Sequence, residues 1–138
     1  MALSVMAPEL QHDRKTIFIV DDDADILKCV SEILADSNYD VQIYQSGAEA
    51  LQQSRDHKGE IHLLLSDFQM PGMSGVQLAT EMTIGRPQLK VLLMSGFPDG
   101  MLVLNEGWHF LAKPFVTSQL RALVAGLADP DRLSKYSK

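Results

Sequence analysis

The stretch IFIVDDDADIL, residues 17–27, sets four apolar residues directly against a cluster of carboxylates, Asp21, Asp22, Asp23 and Asp25. Its apolar half reads as a buried strand. Beyond it, Ile26, Leu27, Val30, Ile33 and Leu34 fall at the spacing of an amphipathic helix. A strand that ends on acids and passes at once into a helix is the first half of a strand–helix–strand unit. The acids pose an electrostatic question of their own. At about 4 Å and an effective dielectric near 20, each like-charged pair costs roughly 4 kcal/mol. Either they are solvated first-turn helix residues, or something positive belongs beside them.

The same alternation repeats along the chain. Short apolar runs fall at residues 17–20, 41–44, 61–65, 91–94 and 110–112. Helical spacing is found between them, at 48–54 and 76–82, and again at 118–128, where Leu120, Leu123, Val124 and Leu127 share a face. Strand–helix units in series predict a parallel sheet with right-handed crossovers and helices on both faces. The nearly all-apolar runs suit strands covered on both sides. In such sheets ligands bind beyond the carboxyl ends of the strands. Those ends carry Asp21 and Asp22, Asp67, Ser95 and Lys113, so the sheet itself gathers five polar groups at one edge.

Bulk properties narrow the class. A chain of 138 residues fits one domain, and 46% hydrophobic with 22% charged residues is ordinary for a globular protein. The net charge of −6 argues against a nucleic-acid partner, which needs a basic footprint. No apolar run approaches the ~20 residues of a membrane span. Pro8, Glu9 and His12 interrupt any signal-peptide core, so a cytoplasmic location is expected. The single Cys29, close to Ile26 and Ile33, is read as a small core residue.

Three carboxylates in one crevice need a cation or raised pKa values. Lys113 supplies one fixed positive charge. Few carboxylates with room for water suit Mg²⁺ better than a full Ca²⁺ cage. His12, His57, His62 and His109 show no zinc-ligand spacing with Cys29. The plainer alternative is a salt-bridged lysine among solvated acids.

The motifs IVDD, SDFQMPGMSG, MSG and KPF, in that order and each at the end of an expected strand, resemble the receiver domain of two-component response regulators, of the chemotaxis-regulator kind. The resemblance covers residues 15–128, with tails at 1–14 and 129–138. It implies a flavodoxin-like, doubly wound five-stranded parallel sheet of order 2-1-3-4-5. It also implies that Asp67 is the phosphoacceptor, taking a phosphoryl group from a phosphohistidine on a sensor histidine kinase or a phosphotransfer protein. Asp22 and Asp67 would bind Mg²⁺ directly, Asp21 through a water, and Gln69 through its backbone carbonyl. Lys113 and Ser95 would hold phosphoryl oxygens, and Ser95 with Phe110 would form the switch. Gln69 and Phe97 would flank the line of attack of water and set the lifetime of the acyl phosphate, which is expected to be long. The Lys113–Pro114 bond is expected to be cis.

The chain departs from the family pattern in places. Ser95 and Lys113 are only 18 residues apart, and Pro98, Gly100 and Gly107 lie between them, so a shortened or irregular fourth helix is expected. Met101 to Leu104 is an apolar run, read as core. Val116 stands where the family often has a hydroxyl residue, so the cap of the last helix is expected to shift to Thr117. Pro71, Gly72 and Gly75 are read as turn residues that even an inert protein would need.

The leading expectation is a phosphorylation-controlled switch rather than an enzyme acting on external substrates, and a monomer or weak homodimer. It would be a stand-alone receiver or the receiver of a hybrid kinase, with the initial Met and short tails favouring the former. Two other readings stand beside it: a docking module that takes no phosphate, and a small phosphatase with an aspartate nucleophile, since Asp21 and Asp23 satisfy a DxD pair. Nucleotide binding fares worst, with neither GxGxxG nor a P-loop in the sequence.

Overall fold

The computed structural model describes residues 14–35, 38–96 and 108–129. Five strands, β1 (Lys15–Val20), β2 (Tyr39–Tyr44), β3 (Leu63–Asp67), β4 (Lys90–Ser95) and β5 (Trp108–Ala112), form one parallel sheet of order β2-β1-β3-β4-β5. Among the described residues there are four helices: α1 (Ala24–Ala35), α2 (Gly47–Asp56), α3 (Gly75–Gly85) and α4 (Thr117–Ala128). The predicted order and sheet topology are those observed. The expected fourth crossover, with Phe97 and the run Met101 to Leu104, lies outside the described residues.

The strand period of two splits the core into two layers. Ile17, Ile19, Leu63, Leu65, Leu92 and Met94 face α1 and α4, where Leu27, Val30, Leu34, Leu120 and Val124 meet them. Phe18, Val20, Leu64, Val91 and Leu93 face α2 and α3, against Ala50, Leu51, Leu78, Ala79 and Met82. The three inner strands are thus covered on both sides, which is why their sequences lack polar alternation.

Two local expectations fail. Cys29 is exposed rather than core. The buried stripe of α1 is Leu27, Val30 and Leu34, and at 3.6 residues per turn position 29 lies about 130° from its centre. The cap of α4 is Val116 in extended conformation, with no side-chain cap bond, so Thr117 is already the first helical residue. The burial of Leu120 and Val124 fixes the helix register, and the Val116 carbonyl accepts from Gln119 and Leu120. The hydroxyl therefore falls one position too late to cap. By contrast α2 starts on Ser46, whose side chain accepts from the Glu49 N–H, and α3 starts on a full capping box between Ser74 and Gln77.

At the amino edge of the sheet, polar groups are matched to backbone. Arg86, just past α3, donates to the carbonyls of Ser54, His57 and Gly59, at 2.8 to 2.9 Å. These are the last carbonyls of α2 and the turn after it, where a cation is favoured. His62 accepts the Thr16 N–H on Nδ1 at 3.0 Å, and its backbone N–H donates to the Thr16 carbonyl. The imidazole thereby completes a rung between the chain entering β1 and that entering β3. Burial pulls the His62 pKa below its ordinary value.

Candidate functional site

The carboxyl edge of the sheet gathers the acids as the strand order requires. Asp21 follows β1, Asp67 ends β3, Ser95 ends β4 and Lys113 follows β5. Asp21, Asp22 and Asp67 each offer a carboxylate oxygen, and these three atoms lie within 4.8 Å of one another. Lys113 Nζ donates to Asp21 Oδ2 at 3.2 Å and to Asp67 Oδ1 at 3.0 Å. The neighbouring β1 thus supplies the terminal aspartate of β3 with a second acid, and β5, one strand beyond β4, supplies the cation.

The residues differ in exposure. Asp21 is 1% exposed, Asp67 is half-buried and Asp22 is exposed. Both Asp21 oxygens already have donors, the Asp23 N–H on Oδ1 at 2.9 Å and Lys113 on Oδ2. Burial raises the Asp21 pKa. The Asp23 N–H and the Lys113 ammonium oppose that rise and the Asp67 charge adds to it, with a net upward shift. Burial alone would lower the Lys113 pKa, but its hydrogen bond to Asp67 and the charges of both acids outweigh that and hold it above the ordinary value. The site is therefore a set of three acids only partly neutralised by one base.

Asp23 and Asp25 play the helix-start part. Both are exposed, Asp23 Oδ1 accepts the Asp25 N–H, and the Asp23 carbonyl accepts the Leu27 N–H. Of the four acids in the opening stretch, two join the cluster and two begin the helix.

The loop after β3 is held tightly. The Phe68 carbonyl accepts the Gly75 N–H at 2.9 Å, and a Cβ at Gly75 would collide with the Asp67 carbonyl. Gly72 has a φ of +82°, which favours glycine there. Gln69 is exposed beside this turn. Ser95 is 4% exposed, and its carbonyl accepts the Lys113 N–H at 2.7 Å. The Lys113–Pro114 bond is cis, as the resemblance implied. Phe110 is half-buried, with its ring centroid 6.2 Å from that of Phe68. That pairing was not foreseen, although Phe68 directly follows Asp67; only the β3–β4–β5 register brings the two rings together.

The oxygen-only donor set suits a hard divalent cation, and the exposure of Asp22 leaves room for water ligands. Among the described residues no helix is long and apolar enough to cross a membrane.

Comparison with known proteins agrees with this geometry. The family model described as "Response regulator receiver domain" matches residues 17–125. The response regulator receiver protein CpdR of Brucella abortus is 32% identical over 116 residues, covering 80% of this chain and 91% of that protein. The C4-dicarboxylate transport transcriptional regulatory protein DctD of Rhizobium meliloti is 32% identical over 110 residues, covering 76% of this chain. The chain spans only 23% of DctD's length. Among solved structures, the receiver domain from the hybrid histidine kinase CckA superposes with a TM-score of 0.73 at 27% identity, covering 83% of this chain and 99% of that one. From strand order, gathered acids and sequence match together, the chain belongs to the response regulator receiver-domain family of two-component signalling.

Proposed function

We propose that this chain is a phosphorylation-controlled switch whose receiver domain spans residues 15–128 and whose phosphoacceptor is Asp67. The observation that carries the reading is the Lys113 ammonium shared between Asp21 and Asp67 beside a third carboxylate. Three acids and one base leave an unbalanced negative site, which favours a divalent cation and then a phosphoryl group that brings its own oxygens to Lys113.

Asp22, exposed, and Asp67 would be direct ligands of Mg²⁺, together with the Gln69 carbonyl. Asp21, whose oxygens are both engaged, would act through a water. The cation, when bound, neutralises charge on the transferring phosphoryl group. An Asp67 carboxylate oxygen attacks phosphorus, forming a P–O bond as the P–N bond to the donor imidazole breaks and that nitrogen takes the electron pair. Lys113 holds one phosphoryl oxygen and the Ser95 hydroxyl another. Movement of Ser95 would change the room open to Phe110, and Phe68 beside it joins the response. Partners are a sensor histidine kinase or phosphotransfer protein upstream and an unidentified protein downstream, in the cytoplasm. Whether the domain acts alone or within a hybrid kinase leaves this chemistry unchanged.

The test is incubation with Mg²⁺ and a small acyl-phosphate donor, followed by intact mass. One added phosphoryl group in the wild type, absent in Asp67→Asn and absent without Mg²⁺, is expected. No addition to the wild type would overturn the reading in favour of a docking module that takes no phosphate.

A further inference from the structure

Ser66 is fully buried at the end of β3, where the residues before it are leucines. A hydroxyl there costs desolvation unless it is bonded. Its Oγ donates to the carbonyl of the next residue, Asp67, at 2.9 Å. The same carbonyl lies against Gly75, with no room for a Cβ between them. The other pole of that peptide, the Phe68 N–H, donates to the Met94 carbonyl at 2.8 Å. The peptide plane immediately after Asp67 is thus held at both ends. Its rotation would change ψ of Asp67, and with it both the frame from which the carboxylate projects and the direction in which the chain continues to Gln69.

We propose that Ser66 is a positioning residue for Asp67, its hydroxyl holding the following peptide so that the Asp67 carboxylate and the Gln69 carbonyl stay in register for the cation and the phosphoryl group. The assignment rests on the receiver reading of the site. Ser66 touches neither cation nor phosphate and acts through the Asp67 backbone alone.

The experiment compares wild type, Ser66→Ala, Ser66→Thr and Ser66→Cys in the full chain. Three quantities are measured: the carbonyl-carbon resonance of Asp67 in Mg²⁺-free protein, the Mg²⁺ dissociation constant, and the rate of phosphoryl uptake from a small acyl-phosphate donor at saturating Mg²⁺. Alanine is expected to move the Asp67 resonance and to weaken Mg²⁺ binding about three- to tenfold, the equivalent of one ordinary hydrogen bond. It is also expected to slow uptake at saturating Mg²⁺, which a loss of stability alone would not do in folded protein. Threonine keeps the hydroxyl and is expected to restore all three. Cysteine, of similar shape with a weaker donor, falls between and serves if threonine does not fit. An unchanged resonance and unchanged Mg²⁺ affinity in Ser66→Ala overturn the assignment even if wild type is phosphorylated. A moved resonance and weakened Mg²⁺ binding, with no uptake by wild type, support the positioning role and sink the phosphoacceptor reading instead.

Discussion

At the carboxyl edge of the sheet one ammonium, Lys113, bonds two of three clustered carboxylates, whereas at the amino edge one guanidinium, Arg86, serves three carbonyls. The first arrangement leaves charge in excess, held in place by the bonds of Lys113 to the buried Asp21 and to Asp67. The second leaves its groups satisfied by backbone, and His62 does the same for the β1–β3 rung. Excess charge costs stability and favours a cation; matched polar groups secure the frame. On the proposed function, the first set would carry the chemistry and the second would hold the frame.

The sharpest way to break that division is Asp67→Asn. Phosphoryl uptake by intact mass should vanish, while the urea midpoint should hold or rise, because one of three mutually repelling acids becomes neutral. A large fall in the midpoint would mean that the cluster is structural after all. Arg86→Ala should do the reverse. Losing charge-assisted bonds to partly buried carbonyls should cost about 2–3 kcal/mol in urea unfolding, with Mg²⁺ affinity of the folded protein unchanged. Gly75→Ala belongs to both classes. The added methyl meets the Asp67 carbonyl, so it should cost about 2 kcal/mol by overpacking and also weaken Mg²⁺ binding.

The smallest expected effect is a pH dependence at the amino edge. His62 accepts the Thr16 N–H only when neutral, and burial holds its pKa below the ordinary 6.5, with Glu60, Lys15 and Asp129 as charged neighbours. The unfolded chain therefore takes up the proton first as pH falls. Stability from this group is full above 6.5 and declines below it, by about 1 kcal/mol, the scale of one hydrogen bond. His62→Gln keeps an acceptor without titrating. Urea unfolding of the two proteins from pH 7.5 to pH 5 should diverge toward the acid end, and parallel curves would refute the role.

Much of the carboxyl edge was legible in the sequence because strand ends are easy to place when strands are nearly all apolar. Asp21, Asp67, Ser95 and Lys113 each close or follow such a run, and a parallel sheet must bring them together. The amino edge was not legible. Arg86 reaches across to carbonyls about 30 residues back in the chain, and no residue pattern marks a carbonyl as awaiting a donor. Ser66 was hidden for a related reason, since a serine among leucines reads as a tolerated polar residue until its partner is seen. Cys29 and Thr117 failed on a finer scale. Each turns on one position of helical register, which packing of neighbouring residues decides.

The Lys113 N–H bonded to the Ser95 carbonyl ties the end of β4 to the residue just past β5. Ser95 pairs with Ala112 in the ladder, so hydroxyl and ammonium are delivered from adjacent positions of one rung. Their relative placement is set by the β4–β5 register rather than by the number of residues between them in the chain. A change in that number that keeps the β4–β5 register is expected to keep the Lys113 N–H on the Ser95 carbonyl. The short spacing between Ser95 and Lys113, an oddity when read along the sequence, leaves intact the rung that carries both side chains.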